Sequence, residues 1–550
     1  MKKGLVFLSV FLLALAFLPV CVQAQYLYWH YDKLIENNGP NSAIDARVAV
    51  SGTKAVAVWC QKYNDTFRVY SNYSTNGGAT WHNARIIEDN IGSPAYNTRV
   101  AMSGSNVVAV WTQYIGIFLR VYANHSTDGG ATWHADQLIE NNIGAHADAP
   151  MVAISGSRVV AVWFQVESGH FRIFSNFSTN GGATWRTDQP IDSPTIYDSE
   201  YPRVALSGAN AVAVWFRSDG SKQRIYSNWS ADGGAAWHSE QRLEDNAGYH
   251  AANPQVAMSG TKAIAVWEQN SSTGNWRAYY NFTTDGGQTW HSDQLVSDQG
   301  LQGQTVPQVA MSGTTAVAVW RQAGSTGPGL VFSSSSTDNG ATWFAAQPIE
   351  TNTGFSAEDS RLALSGKNAA AVWRQSDGSA MRIFANYSPD GGATWRSEHM
   401  IDGVASAGGV YPEVAVSGND VVSVWPGQSA GVGRAAANYA TYKAAQKVML
   451  LPPKLTSPAN GSINIPTTVA FQWQDTNSLP QELKFKIRLK PAGGVYAYIP
   501  VPAGYTSFVI AGLTRNKTYS WNVQAMGNGT TILNSSWANG GVDWKFTTAL

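Results

Sequence analysis

The chain has almost no cysteine. Cys21 and Cys60 are the two in 550 residues, so no disulfide framework can hold the fold. Stability must come from burial, for which a chain this long has ample material. Charge is scarce too: charged residues are 13% of the total, with 37 Lys plus Arg against 37 Asp plus Glu. That balance leaves no electrostatic footprint for nucleic acid or an anionic membrane, and neither is expected as a partner. After Val22 no apolar run is long enough to span a bilayer, so none is expected in the mature chain. What abounds is Gly (52) and Trp (22), which suits tight turns between aromatic-rich strands.

The start is different. Met1-Lys2-Lys3 leads into apolar residues 5–22 and then Gln23-Ala24, which reads as residues 1–24 forming a secretory signal peptide cut after Ala24. An uncleaved anchor helix is the alternative. Val20 is too bulky for a lipoprotein site at Cys21. The expected location is secreted, extracellular or cell-surface, with the periplasm as alternative.

A sentence of residues recurs down the chain. Ser74-Thr-Asn-Gly-Gly-Ala-Thr-Trp81 has six further copies, ending at Trp133, Trp185, Trp237, Trp290, Trp343 and Trp395. A period of 52 or 53 residues marks an array of one structural unit. In the first unit, 47–51, 54–59, 67–73 and 81–88 read as four antiparallel strands. The second is apolar on both faces, with Val56 and Val58 on one and Ala55, Ala57 and Trp59 on the other, so both faces are buried. Such units are blades of a β-propeller. An open solenoid would need end caps, and none is evident. Second-strand Trp residues recur eight times, from Trp59 to Trp425. The eighth unit lacks a fourth strand, but 28–38 matches one, and Trp29 lies one period before Trp81. The expected fold is all-β: an eight-bladed propeller over 25–447 closed by its N-terminal strand, with seven blades as the fallback.

The recurring motif resembles the Asp-box, or BNR repeat, of sialidase-like propellers. Its box positions are Asn76, Asp128, Asn180, Asp232, Asp285, Asp338 and Asp390. A short Asp or Asn can bind the amides of its own turn, and Gly permits the reversal. The resemblance implies boxes on the periphery, opposite the active face, with a structural role. One carboxylate per loop is too few oxygens for calcium, so no metal and no cofactor are expected. His82, His134, His238 and His291 recur at one position in separate blades and are read as surface-strand residues. Asn72, Asn124, Asn176, Asn228, Asn281 and Asn386 each head a sequon, read either as hairpin residues or as glycosylation sites.

Propeller ligands sit at the mouth of the central channel. The innermost strands open there with Arg47, Arg99, Met151, Arg203, Gln255, Gln308, Arg361 and Glu413. Guanidinium groups bind carboxylate or sulfate bidentately. The ligand-binding candidates are Arg47, Arg99, Arg203, Arg361 and Glu413, with Asp45, Asp148, Tyr197, Glu200, Asp359 and Tyr411 from the preceding loops. An alternative pairs each Arg with a neighbouring acid as a structural ring. The family resemblance implies a Tyr–Glu pair and an Asp acid for hydrolysis. Tyr197 with Glu200, or Tyr411 with Glu413, could supply the pair, but no motif fixes them and the catalytic residues are unknown. The uniform period argues against blade-specific insertions that build a pocket, and favours binding by several equivalent sites.

After Lys447 the repeat stops. Residues 448–454 read as a linker, and 455–550 as short alternating strands of a β-sandwich. Tyr519-x-Trp521-x-Val523-x-Ala525 resembles the fibronectin type III pattern. The reading is a non-catalytic propeller that binds glycans or cell-surface or extracellular proteins. A sialidase-like exo-glycosidase and a purely structural surface scaffold are the alternatives.

Overall fold

A computed structural model describes residues 25–550, except 38–40, 91, 143, 246–247, 273, 297–305, 324–326, 404–407, 430–431, 445–447, 450–451, 476–483, 503–504 and 527–531. The proposed signal peptide and Cys21 lie outside the described residues. Among the described residues two compact units are present: Leu27–Lys443, and Ala444–Leu550 together with Gln25 and Tyr26. No described helix is long and apolar enough to cross a membrane.

The larger unit is built from antiparallel sheets of one pattern. Ala43–Ser51, Lys54–Tyr63, Thr66–Ser74 and Arg85–Ile86 form the first of seven four-stranded sheets. The outer strand is shorter than the sequence suggests: it pairs only as Tyr70 with Ile86 and Ser71 with Arg85. Residues 81–84 are held at His82, whose amide donates to the Tyr73 carbonyl at 3.0 Å and whose carbonyl accepts from Asn72 Nδ2 at 2.7 Å. The last sheet comprises Glu413–Ser417, Asp420–Ser429 and Val432–Ala444. Its outer partners come from the other end of the chain: Gln25–Trp29 and Lys33–Leu34 both pair with Val432–Ala444. First strands of successive sheets touch in a closed cycle, with Glu413–Ser417 returning to Ala43–Ser51.

Burial between sheets follows the two-faced second strand. Val56 and Val58 pack with Trp111 of the following sheet. Ala55, Ala57 and Trp59 pack with Val422 and Val424 of the last. Each second-strand Trp from Trp59 to Trp425 is fully buried. The boxes seal the same seams. Asp128 accepts from the Thr132 amide at 2.9 Å and the Thr132 hydroxyl at 2.6 Å, while Ser126 accepts from the Gly130 amide. Gly130, at φ 90°, lies so close to the preceding sheet that a Cβ there would meet Val56 Cγ2 at 2.7 Å.

The sequon asparagines belong to these seams. Asn72 is 2% exposed, and its Nδ2 donates to the carbonyls of Ile35 and His82, both at 2.7 Å. Asn124, Asn176, Asn228, Asn281 and Asn386 repeat the arrangement. A buried amide with both hydrogens engaged is closed to glycan transfer once folded. Asn72→Ala should cost about 1–3 kcal/mol in urea unfolding, because two buried carbonyls lose their donor. Glycopeptide mass spectrometry of folded protein should find these six sites bare. The recurring histidines stack on third-strand rings, as His82 does on Tyr73 at 4.0 Å and His238 on Trp229 at 3.5 Å.

A second network joins neighbouring sheets and is not apparent from the repeat. Trp59 Nε1 donates to Gln61, Gln61 donates to buried Glu36, and Arg434 pairs with Glu36. Trp111, Gln113, Glu88 and Arg68 repeat the relay, as do Trp163, Gln165, Glu140 and Arg120. Where one member is missing, the acid suffers. Leu330 replaces the Arg that would serve Glu350, and at Glu244 the matching Arg224 is drawn to Asp219 at 2.6 Å and lies 3.9 Å from the acid. Burial pushes both carboxyls up to about 7. A folded pKa above the unfolded value stabilises below about 4.5, and that contribution is lost as pH rises through 7. Glu350→Gln should therefore raise the thermal midpoint at pH 8, by about 1–3 kcal/mol in stability, and change little at pH 4.

The smaller unit packs the strands Lys454–Ser457, Val469–Gln474 and Ser507–Ile510 against a five-stranded sheet containing Lys484–Pro491 and Thr518–Met526. Phe471, Trp473, Ile487, Trp521 and Phe546 form its core. The Tyr519 hydroxyl accepts from the Thr514 amide at 3.0 Å.

Candidate functional site

Six of the eight first strands carry a bulge at their start. The register with the second strand shifts between Ile44 and Arg47, and again between Tyr96 and Arg99 and between Glu358 and Arg361. Two places before each strand-opening residue a non-glycine residue takes a left-handed backbone, inside the bulge at Asp45, Asn97, Ala149, Tyr201, Asn253 and Asp359 and just ahead of the strand at Val306 and Tyr411. This happens at one position in all eight sheets. Bulges re-aim side chains, and left-handed backbone in residues such as Val306 costs roughly 1–3 kcal/mol each. The residue two places on opens onto the axis. Asn and Asp in four of the eight copies are the sequence signal for the bulge, because their short polar side chains tolerate this conformation.

The bulges gather one cavity of about 260 Å³, lined by Arg47, Arg99, Met151, Arg203, Gln255, Gln308, Arg361 and Glu413, with Asn253 and Val306. All eight strand-opening residues named from sequence meet here. The arginines are braced alike. Arg47, Arg99, Arg203 and Arg361 each donate Nη1 to the carbonyl of the preceding residue, at 2.7–3.0 Å. They differ in what else they reach. Arg361 Nε and Arg47 Nη1 share Glu413, at 3.0 and 3.2 Å. Arg99 Nε reaches Met151 Sδ at 3.2 Å, and Arg203 Nε reaches Gln255 Oε1 at 3.3 Å. Among the described residues two arginines are thus ion-paired and two are not.

The electrostatics follow. Four arginines and one glutamate line the cavity, leaving three positive charges uncompensated among the lining residues. Burial lowers Arg203 to about 10, helped by Arg361 and Arg47. Burial also takes Arg99 well below the arginine range, with Arg47 and Arg203 adding to the effect. Burial alone would raise Glu413, but Arg47 and Arg361 outweigh it and hold the carboxyl below its usual range.

An adjoining cleft of about 520 Å³ shares Val306 and Arg361 with the ring and adds Arg321, Glu358, Asp359, Ser360 and Tyr411. Arg374 pairs with Glu358 and lies 3.7 Å from Asp359. Burial raises the Asp359 carboxyl against the pull of Arg374 and Arg361. Arg321 and Arg374 carry no sequence signal beyond following a second-strand Trp.

The other loop candidates lie elsewhere. Asp148 accepts from Asn97 Nδ2 at 2.7 Å, and Asp45 accepts from the Asn97 amide at 3.3 Å, so both brace the bulges. Tyr197 is directed to the Gly220 turn, where a Cβ would meet its hydroxyl at 2.3 Å. Glu200 has its pKa raised by burial and by Asp198, and lines neither cavity. No hydrogen bond joins Tyr197 or Tyr411 to a carboxylate among the described residues. No described group of three or more His, Cys, Asp or Glu is placed to hold a metal ion.

Repeated four-stranded blades around an arginine-lined channel define a β-propeller of the sialidase-like class. Residues 68–268 and 252–424 match the BNR repeat-like domain, and the chain belongs to that family. Its fold is similar to Trypanosoma rangeli sialidase, at 10% identity over 92% of this chain and 88% of that one, with a TM-score of 0.36. It is also similar to Aleuria aurantia lectin in complex with alpha-methyl-L-fucoside, at 12% identity over 58% and 99%, TM-score 0.32. Likeness at this level says nothing of ligand or reaction. No curated protein matches the chain.

Proposed function

We propose that the chain is a secreted, non-catalytic eight-bladed propeller with a fibronectin type III-like appendage, and that it binds anionic glycans at the arginine-lined channel mouth. The observation that carries the ligand class is the ring itself: four converging guanidinium groups, two without a carboxylate partner. Buried cations unmatched by protein acids favour an anionic ligand, and arginine forks suit carboxylate or sulfate. Eight sheets in a closed cycle support the blade count, and the Tyr519–Thr514 bond, placed like a tyrosine corner, supports the sandwich reading. Domain limits of 25–447 for the propeller, 448–454 for the linker and 455–550 for the sandwich accompany this reading.

The cleft keeps a sialidase-like exo-glycosidase as the second reading, because Tyr411, Glu358 and Asp359 meet beside Arg361. Against it, Glu358 is engaged by Arg374 and not by a tyrosine, and among the described residues no carboxylate is hydrogen-bonded to Tyr411 to activate it. A glycan array and a fluorogenic sialoside separate the readings. The binding reading expects retention of acidic glycans and no hydrolysis. Turnover lost in Tyr411→Phe would establish the enzyme, and an array with no retained glycan would leave only a structural scaffold.

A further inference from the structure

The ring and the cleft form one asymmetric site, and their shapes constrain which anion fits. The arginines come from the first, second, fourth and seventh inner strands of the cycle, so they surround the axis. Each has its Nη1 fixed on a backbone carbonyl, which holds the fork in place. A carboxylate presents two oxygens in one plane and is satisfied by donors approaching from one side. A tetrahedral oxyanion ester presents three terminal oxygens pointing apart, which donors around an axis can reach together. The neutral lining residues Met151, Gln255, Gln308 and Asn253 bring no competing charge, and Glu413 is consumed by Arg47 and Arg361.

On one side the ring opens into further space. The cleft meets it at Arg361 and Val306 and is lined by Glu358, Asp359, Ser360 and Tyr411, whose oxygens suit sugar hydroxyls. Its volume of about 520 Å³ accommodates a sugar ring where the 260 Å³ channel takes the charged group.

Resting on the anionic-glycan reading, we propose that the site takes a sugar bearing a sulfate or phosphate ester, with the tetrahedral group on the channel axis and the sugar in the Glu358–Tyr411 cleft. Sulfate and phosphate monoesters share this chemistry, and a direct comparison of the two identifies the source.

The test is calorimetric titration of the full chain with glucose 6-sulfate, glucose 6-phosphate, glucuronic acid and glucose. The proposal expects at least one ester to bind tenfold or more tighter than glucuronic acid, and glucose not to bind measurably. Inorganic sulfate or phosphate should compete with the better ester. Arg203→Lys keeps the charge and loses the fork, and should weaken the better ester by tenfold or more at an unchanged thermal midpoint. Asp359→Asn should weaken the ester sugar but leave inorganic anion binding intact. Glucuronic acid binding as tightly as both esters would overturn this inference and leave the anionic-glycan reading standing. Failure of all three anions in a folded chain would overturn both.

Discussion

A chain lacking residues 25–37 should show no cooperative unfolding transition at the position of the full chain. The segment supplies the outer partners of the last sheet, and its loss opens the ring. Leu27 and Ile35 are 5% and 2% exposed. Leu27 packs with Ile383, Ile401 and Trp425, and Ile35 with Trp59, Tyr70 and Val424. Two such side chains contribute about 2–5 kcal/mol each. The cut also strands polar partners: Arg434 and Gln61 lose Glu36, while Asn438 and Asn72 lose the carbonyls of His30 and Ile35. Each buried group left unmatched costs about 1–3 kcal/mol. Together these losses reach the roughly 5–15 kcal/mol margin of a typical domain. Tryptophan fluorescence in urea reads the outcome, and Ile35→Ala gives the graded version, a loss of about 2–5 kcal/mol. Unfolding of the truncated chain at the full-length midpoint would show that the ring closes without this segment.

Opposite effects are expected from two substitutions in the arginine ring. Glu413→Gln leaves Arg47 and Arg361 without a carboxylate in a half-buried cavity, which should cost about 3 kcal/mol. Arg203→Gln relieves repulsion from Arg361 and Arg47, so stability should hold or rise by up to about 1 kcal/mol while anion binding is lost. Acidity separates the first effect from a packing defect. Glu413 has a lowered pKa, so its contribution is present above the unfolded value of about 4.5 and disappears as pH falls through the folded one. The thermal midpoints of the parent chain and Glu413→Gln should therefore converge in acid and diverge at pH 7. A gap independent of pH would assign the loss to packing.

The repeat made the blades legible because the two-faced apolar second strand can be buried in only one way. The eight residues that meet on the axis were legible for the same reason: a fixed period carries a fixed position around the ring. What the sequence obscured is what breaks the symmetry. The approach of Asp359 and Tyr411 to Arg361, and the diversion of Tyr197 to Gly220, depend on bulge geometry that no periodicity encodes. The uniform period suggested equivalent weak sites. Yet single-residue exchanges at constant length, such as Met151 or Gln255 for Arg, suffice to make one side of the channel unlike the other. The relay of Trp59, Gln61, Glu36 and Arg434 was missed because its members lie on three sequence-distant segments, although each recurs with the period.

The central claim is that function sits at the arginine end of the channel while the Asp-boxes hold the seams. Glycan retention on an array by the parent chain, Arg99→Gln/Arg203→Gln and Asp128→Asn, each verified as folded, tests it most directly. The account predicts that the parent and Asp128→Asn retain the same acidic glycans and the double arginine variant retains none. Retention by the arginine variant, or its loss in the box variant alone, would contradict it.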